Sequence, residues 1–196
     1  MSHWPMMTNI IANMRRDWPQ MPDAALLRLA EKLEPVTMCR RQLLVEAGRR
    51  CPWAYFIENG MTRSYWLVDG EQITTSFTIE GSIVFSMDEL YYDRPSEEYV
   101  ETLEDSDGFR ILVEDLRQLF AADLDLANWG RIIHQNEYRR LHRSHKERLT
   151  LPAAERYEAF RQQFPEVCRR AKLGYIASYL GITLPTLSRL RRKCRI

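Results

Sequence analysis

Several things are missing from this sequence. No run approaches the roughly 18 consecutive apolar residues that a membrane helix needs. The stretch from Met1 to Pro22 has no apolar h-region and is interrupted by Arg15, Arg16 and Asp17, so no export signal is expected. None of the four cysteines, Cys39, Cys51, Cys168 and Cys194, sits in a CxxC pair. They read as scattered reduced thiols in a cytoplasmic chain, not as a disulfide framework or a metal cluster. The four histidines are His3, His134, His142 and His145, and no GxSxG stands anywhere. Charge of one sign is also missing: 28 Lys+Arg face 27 Asp+Glu, for a formal net charge of +1. A total so close to zero argues against a nucleic-acid binder, until the charges are located.

What is present is enough for a core, with 45% hydrophobic residues in a chain of 196. Divided at Asp123, the charges separate. Residues 1–123 hold 12 Lys+Arg against 21 Asp+Glu, and residues 124–196 hold 16 against 6. From Val167 onward there are eight basic residues and no acid. The chain therefore has an acidic body and a basic, anion-seeking end.

The periodicity divides the chain again. Residues 1–35 read as helical: Asp23 can cap a helix whose apolar face is Leu26, Leu27, Leu29, Ala30 and Leu33, and Pro35 stops it. Residues 36–114 read as seven or eight short strands separated by Gly and Asp turns, with Asp69-Gly70 as a hairpin signal, which is the pattern of a jelly roll. Residues 115–149 lack proline and predict one long helix, along which Leu126, Trp129 and Ile133 follow the 3 and 4 spacing of a dimer seam. Residues 150–196 predict short helices, the first capped by Thr150 with Pro152 in its opening turn. The fold class is thus α+β: a jelly roll joined by a long dimerisation helix to a small C-terminal helical domain.

The stretch LGYIASYLGITLPTLSRL, from Leu173 to Leu190, meets the constraints of a helix-turn-helix. Two helices crossing steeply need a small residue at the crossing, here Ala177, and a turn that tolerates positive φ, here Gly181. Ile176, Leu180, Ile182, Leu187 and Leu190 fall where a joint core requires apolar residues, and Thr183 can cap the second helix. Thr186 stands where a capping box would place Glu or Gln. The remaining face offers Thr183, Thr186, Ser188, Arg189, Arg191, Arg192 and Lys193. Ser188 and Arg189 are suited to base edges, and Arg191, Arg192, Lys193 and Arg195 to phosphates. An ordinary helical hairpin has no need of an acid-free basic face.

In this order of parts, the chain resembles the Crp/Fnr superfamily of transcription regulators, in particular its short branch common in Bacteroidetes. The residues that carry the resemblance are LLVEAGRRCPWAYFIENGMTRSYWLVDGEQITTSFTIEGS, PSEEYVETLEDSD, ERYEAFRQQFPEV and IASYLGITLPTLSRLRRK. The resemblance implies a cyclic-nucleotide-binding-like roll and three partners: double-stranded promoter DNA, a second copy of the chain, and RNA polymerase. It also shows a departure. Nucleotide-binding members place Gly-Glu and then Arg-Ser in a phosphate cassette. Here Gly81 is followed by Ser82, and Ser96-Glu97 replaces the Arg-Ser pair. A carboxylate repels a phosphate, so cyclic AMP is not expected as an effector and no cofactor is assigned. The corresponding pocket would comprise Ser82, Phe85, Arg94, Ser96, Glu97 and Tyr99. The cysteine cluster of iron–sulfur members is absent, and the segment from Val36 to Val113 contains no histidine to ligate haem. The same absence disfavours a cupin-type metalloenzyme on the jelly-roll scaffold, so no catalytic or metal residues are assigned. The wing that usually follows the second helix has too few residues to form. The alternative reading is a ligand- or partner-binding roll without DNA-binding function.

Overall fold

A computed structural model describes residues 6–193. Among them are two four-stranded sheets. The first has the order β1 (Glu34–Met38), β8 (Ser106–Leu112), β3 (Trp53–Asn59), β6 (Ile83–Val84), with antiparallel pairing throughout. The second has the order β2 (Leu43–Val45), β7 (Tyr99–Thr102), β4 (Thr62–Val68), β5 (Glu71–Thr78). Strands predicted at Thr62–Val68 and near Gln72–Ile79 stand where expected. The hairpin between them turns on Asp69 and Gly70, at φ 49° and 83°, two successive positive values as a two-residue turn requires. Strand β1 was not expected, because Pro35 reads as a helix stop. It lies at a sheet edge, opposite Phe109, where a proline costs no ladder bond on its open side.

By its contacts the chain forms two compact units, one of Phe77–Asn136 with the residues before Tyr65, the other of Tyr65–Ser76 with the residues after Asn136. In the first unit, strand alternation divides the apolar residues between two cores. Met38, Val45, Ile57, Val84 and Val100 fill the roll. Ala54, Phe56, Phe109 and Ile111 face the other way, onto the helices α1 (Thr8–Asp17), α2 (Asp23–Ala30), α4 (Val113–Ala122) and the start of α5 (Leu124–Thr150). Helix α1 has no cap of its own. The buried Glu58 carboxylate serves instead, accepting the Asn9 and Ile10 amides at 2.7 and 3.1 Å.

Several expectations need correction. The predicted continuous helix over 115–149 is broken at Asp123, whose extended backbone ends α4. Its carboxylate then caps α5, accepting the Asp125 and Leu126 amides at 3.0 and 3.1 Å. The predicted dimer seam faces inward: Leu126 and Trp129 are buried in the first unit's core, Trp129 stacks on Phe56 at 6.0 Å, and Ile133 packs against the same cluster. The 3 and 4 spacing is shared by helices packing on their own body, and burial of the first unit's sheet claims it here. Leu27 is exposed, and Asp23 lies inside the first turn of α2 without capping it. Thr150 ends α5 and bonds back to the Lys146 carbonyl, so it does not cap the next helix, α6 (Ala153–Gln163).

The second unit holds the far half of α5 with α6, α7 (Pro165–Arg170), α8 (Leu173–Leu180) and α9 (Leu184–Lys193). Tyr157, Phe160, Val167, Tyr179 and Leu187 are buried, and Phe160 meets Tyr179 at 5.2 Å. No helix among the described residues is long and apolar enough to cross a membrane.

Candidate nucleic-acid interface

Helices α8 and α9 and the turn between them are built as the sequence requires. Gly181 sits at φ 64°. Its N–H bonds to the Ser178 carbonyl at 3.1 Å, and the Ile182 N–H reaches the Ala177 carbonyl at 3.0 Å, the two closures of a Schellman motif. Ala177, Ile176, Leu180 and Leu187 are buried where the helices meet. Thr183 caps α9 by accepting the Thr186 amide at 3.3 Å. Where a capping box would hold a carboxylate, the Thr186 hydroxyl pairs with that of Thr183 at 2.9 Å, so the turn is closed without adding a negative charge.

That neutrality suits the face α9 presents. Thr183, Arg189 and Arg192 are exposed, and Thr186, Ser188 and Arg191 are partly so. The Arg189 guanidinium lies 3.4 Å from the Thr186 hydroxyl and pairs with no carboxylate among the described residues. The side chain of Lys193, and Arg195, lie outside the described residues. The three described thiols, of Cys39, Cys51 and Cys168, are free. Burial pushes the Cys51 and Cys168 thiols up, away from the reactive thiolate.

The residues predicted to line an effector pocket are not gathered into one. Arg94 is exposed and held by Asp88 at 2.7 Å and Glu97 at 3.2 Å. Glu97 is itself 75% exposed, so it guards no half-buried cavity. Ser96 is buried, but its hydroxyl accepts the Glu98 amide and donates to the Glu98 carbonyl. Tyr99 is half-buried in β7 and Phe85 packs against the helix-facing core. Ser82 sits in the Gly81 turn, which α1 covers: Asn13 donates to the Gly81 carbonyl at 2.6 Å, and a Cβ on Gly81 would fall 2.6 Å from the Asn9 carbonyl oxygen.

The sequence reading missed the charge that is buried in the roll. Arg63, on β4, is 1% exposed and ion-paired with Glu101 of β7. An arginine inside a predicted strand was the available signal. It also missed α3 (Met87–Tyr92), capped by Ser86 and tied by the buried Glu89 to Arg50 and the Cys51 amide. These bonds, the Arg50 pair first, hold the Glu89 carboxyl below its usual range. His134 of α5 is partly buried. It lies between the Gly130 carbonyl at 2.6 Å and the Tyr91 hydroxyl at 2.9 Å.

Neither a family model nor a curated protein matches the sequence. Solved structures do. FixK2 from Bradyrhizobium japonicum superposes with a TM-score of 0.71 at 19% identity, over 83% of this chain and 84% of that one. A transcriptional regulator from Eubacterium rectale assigned to the Crp/Fnr family does so with a TM-score of 0.71 at 16% identity, over 93% and 88%. The fold is that of the Crp/Fnr regulators. CLP of Xanthomonas campestris, a c-di-GMP responsive global regulator, matches with a TM-score of 0.68 at 15% identity, over 89% and 92%. Each of these superpositions spans most of this chain and most of the matched one.

Proposed function

We propose that this chain is a sequence-specific, dimeric DNA-binding transcription regulator of the Crp/Fnr type, with α9 as its recognition helix. The observation that carries the reading is the α8–turn–α9 geometry. A Schellman-closed Gly181 and a carboxylate-free cap leave an exposed basic and small-polar face on the second helix. Arg189 and Ser188 read base edges; Arg191, Arg192 and Lys193 contact phosphates. The roll works without cyclic AMP, since Arg94, the one cation among the expected pocket residues, is already engaged by two carboxylates.

The dimer forms along the far half of α5. There Tyr138, Leu141 and Leu149 are exposed by 69%, 48% and 73%, and with His145 they line one side of the helix. Two such subunits set their recognition helices about one DNA turn apart, roughly 34 Å, so the operator is a pseudo-palindrome.

The test is fluorescence anisotropy and footprinting on the DNA upstream of the chain's own gene. Binding is expected to weaken steeply with salt and to be indifferent to added cyclic AMP. Arg189→Ala should cost about 1–3 kcal/mol on the specific site and relax preference at one base pair of each half-site. Equal affinity of wild type and Arg189→Ala would favour the alternative, a roll that binds a ligand or partner and no DNA.

A further inference from the structure

Strand β5 is the edge of its sheet, and an edge strand presents backbone N–H and C=O groups outward. Residues two apart present them on the same side. Here a single hydroxyl of the reading pair meets two of them. The Ser178 Oγ, on α8, accepts the Thr74 N–H at 2.9 Å and donates to the Gln72 carbonyl at 2.9 Å. It makes to this edge both kinds of bond that a further strand would make. A second tie lies beside it. Arg140 of α5, its side chain only 14% exposed, reaches the Ser76 hydroxyl at 3.2 Å and the Tyr179 hydroxyl at 3.1 Å, while pairing with Glu137. The Tyr65–Ser76 hairpin is thereby one compact unit with the helices that carry α9.

We infer that Ser178 is a latch by which the β4–β5 hairpin fixes the direction of α8, and through it the direction in which α9 is presented. This rests on the DNA-binding reading above and adds what positions its reading helices. The latch covers nothing that reads DNA, because Thr183, Arg189 and Arg192 are exposed while it is closed. It is therefore a positioning device of the binding-competent state, not a block. It also accounts for how a regulator whose Arg94 is already neutralised holds its reading helices: an internal tie does what an effector would otherwise do. Ser178 is the positioning residue, and the hairpin edge is its partner.

The decisive comparison is Ser178→Val against Ser178→Thr in the full chain, two side chains of nearly equal shape that differ by the hydroxyl. Ser178→Ala joins them as a variant that favours the helix. Hydrogen exchange should speed up about tenfold over residues 72–76 in the Val and Ala variants. Affinity for the specific DNA should fall about tenfold, equivalent to ~1.4 kcal/mol. Ser178→Thr should restore both, and the melting of the α8–α9 helices should not change. Unchanged exchange, or DNA binding by Ser178→Val as tight as wild type or tighter, overturns the latch. If instead wild type binds no DNA in a salt-sensitive way, the reading of the interface fails, and the exchange measurement still decides whether the tie exists.

Discussion

Gly181 is the residue on which the reading geometry turns. At φ 64° a side chain is strained whatever the space around it, and a Cβ here would meet no neighbour within 4 Å. The cost of substitution is therefore backbone strain alone. Gly181→Ala should lower the stability of the second unit by about 1 kcal/mol, and Gly181→Asn by less, since asparagine visits this region more readily. A melt followed by hydrogen exchange over α8 and α9 checks the order, and equal loss for both would show that space and not φ decides. Gly108 gives the contrast: a Cβ there would fall 2.0 Å from the Phe56 carbonyl oxygen, so Gly108→Ala should prevent β3 and β8 from pairing at all. Gly181 was legible in the sequence because its role is local, four residues after Ala177 in a recurrent turn. Ser178 was not, although it stands between two residues that were read. Its partners, Gln72 and Thr74, are more than a hundred positions away, and no local pattern points to a strand edge. Glu97 was misjudged for a related reason: its type was read correctly, but whether it faced a cavity or solvent depended on Asp88 and the turn of α3.

Elements were legible where period and punctuation agree. The β4–β5 hairpin and the α8–α9 pair follow from Asp69-Gly70 and from Gly181. The break at Asp123 was missed because an aspartate after two alanines is compatible with a helix, and only tertiary contacts make it a junction. Its carboxylate caps α5 and pairs with Arg28 of α2. Burial pushes this carboxyl up, but the Arg28 pair and the two amides outweigh it and hold the group below its usual range. A carboxylate with a depressed pKa contributes stability that is present above its unfolded value, about 3.9, and is lost as pH falls through the folded one. Asp123→Ala should therefore cost about 2 kcal/mol near neutral pH, for one cap and one partly buried pair, and the deficit should shrink towards acid. Asp123→Asn keeps the cap and should cost less. Chemical denaturation at several pH values measures the difference, and a deficit for Asp123→Ala that does not vary with pH would remove the charge from the account. Pro35 shows the converse error: a residue that stops helices also sits at sheet edges, and its pairing with Phe109 decides which.

At the scale of the whole molecule, the near-zero net charge conceals a body with 21 Asp+Glu against 12 Lys+Arg and an end with 16 Lys+Arg against 6 Asp+Glu. The basic end carries α9, so salt should weaken DNA binding through that end alone. Assembly then depends on which part of α5 is free. A heptad-like spacing cannot distinguish a helix that packs on its own body from one that awaits a partner. Burial can. Leu126 and Trp129 are 1% and 3% exposed, so Leu126→Glu should unfold the first unit and not merely separate subunits. Leu141 is 48% exposed on the opposite stretch, and Tyr138 beside it 69%, so the double variant Tyr138→Glu, Leu141→Glu should fold as wild type. In light-scattering chromatography this double variant should run as a monomer. It should bind a single half-site as wild type does and lose the gain that a palindromic operator gives a dimer. A dimer that survives both glutamates would place the interface elsewhere on the chain, and a palindrome preference that survives in a monomer would detach operator symmetry from α5 altogether.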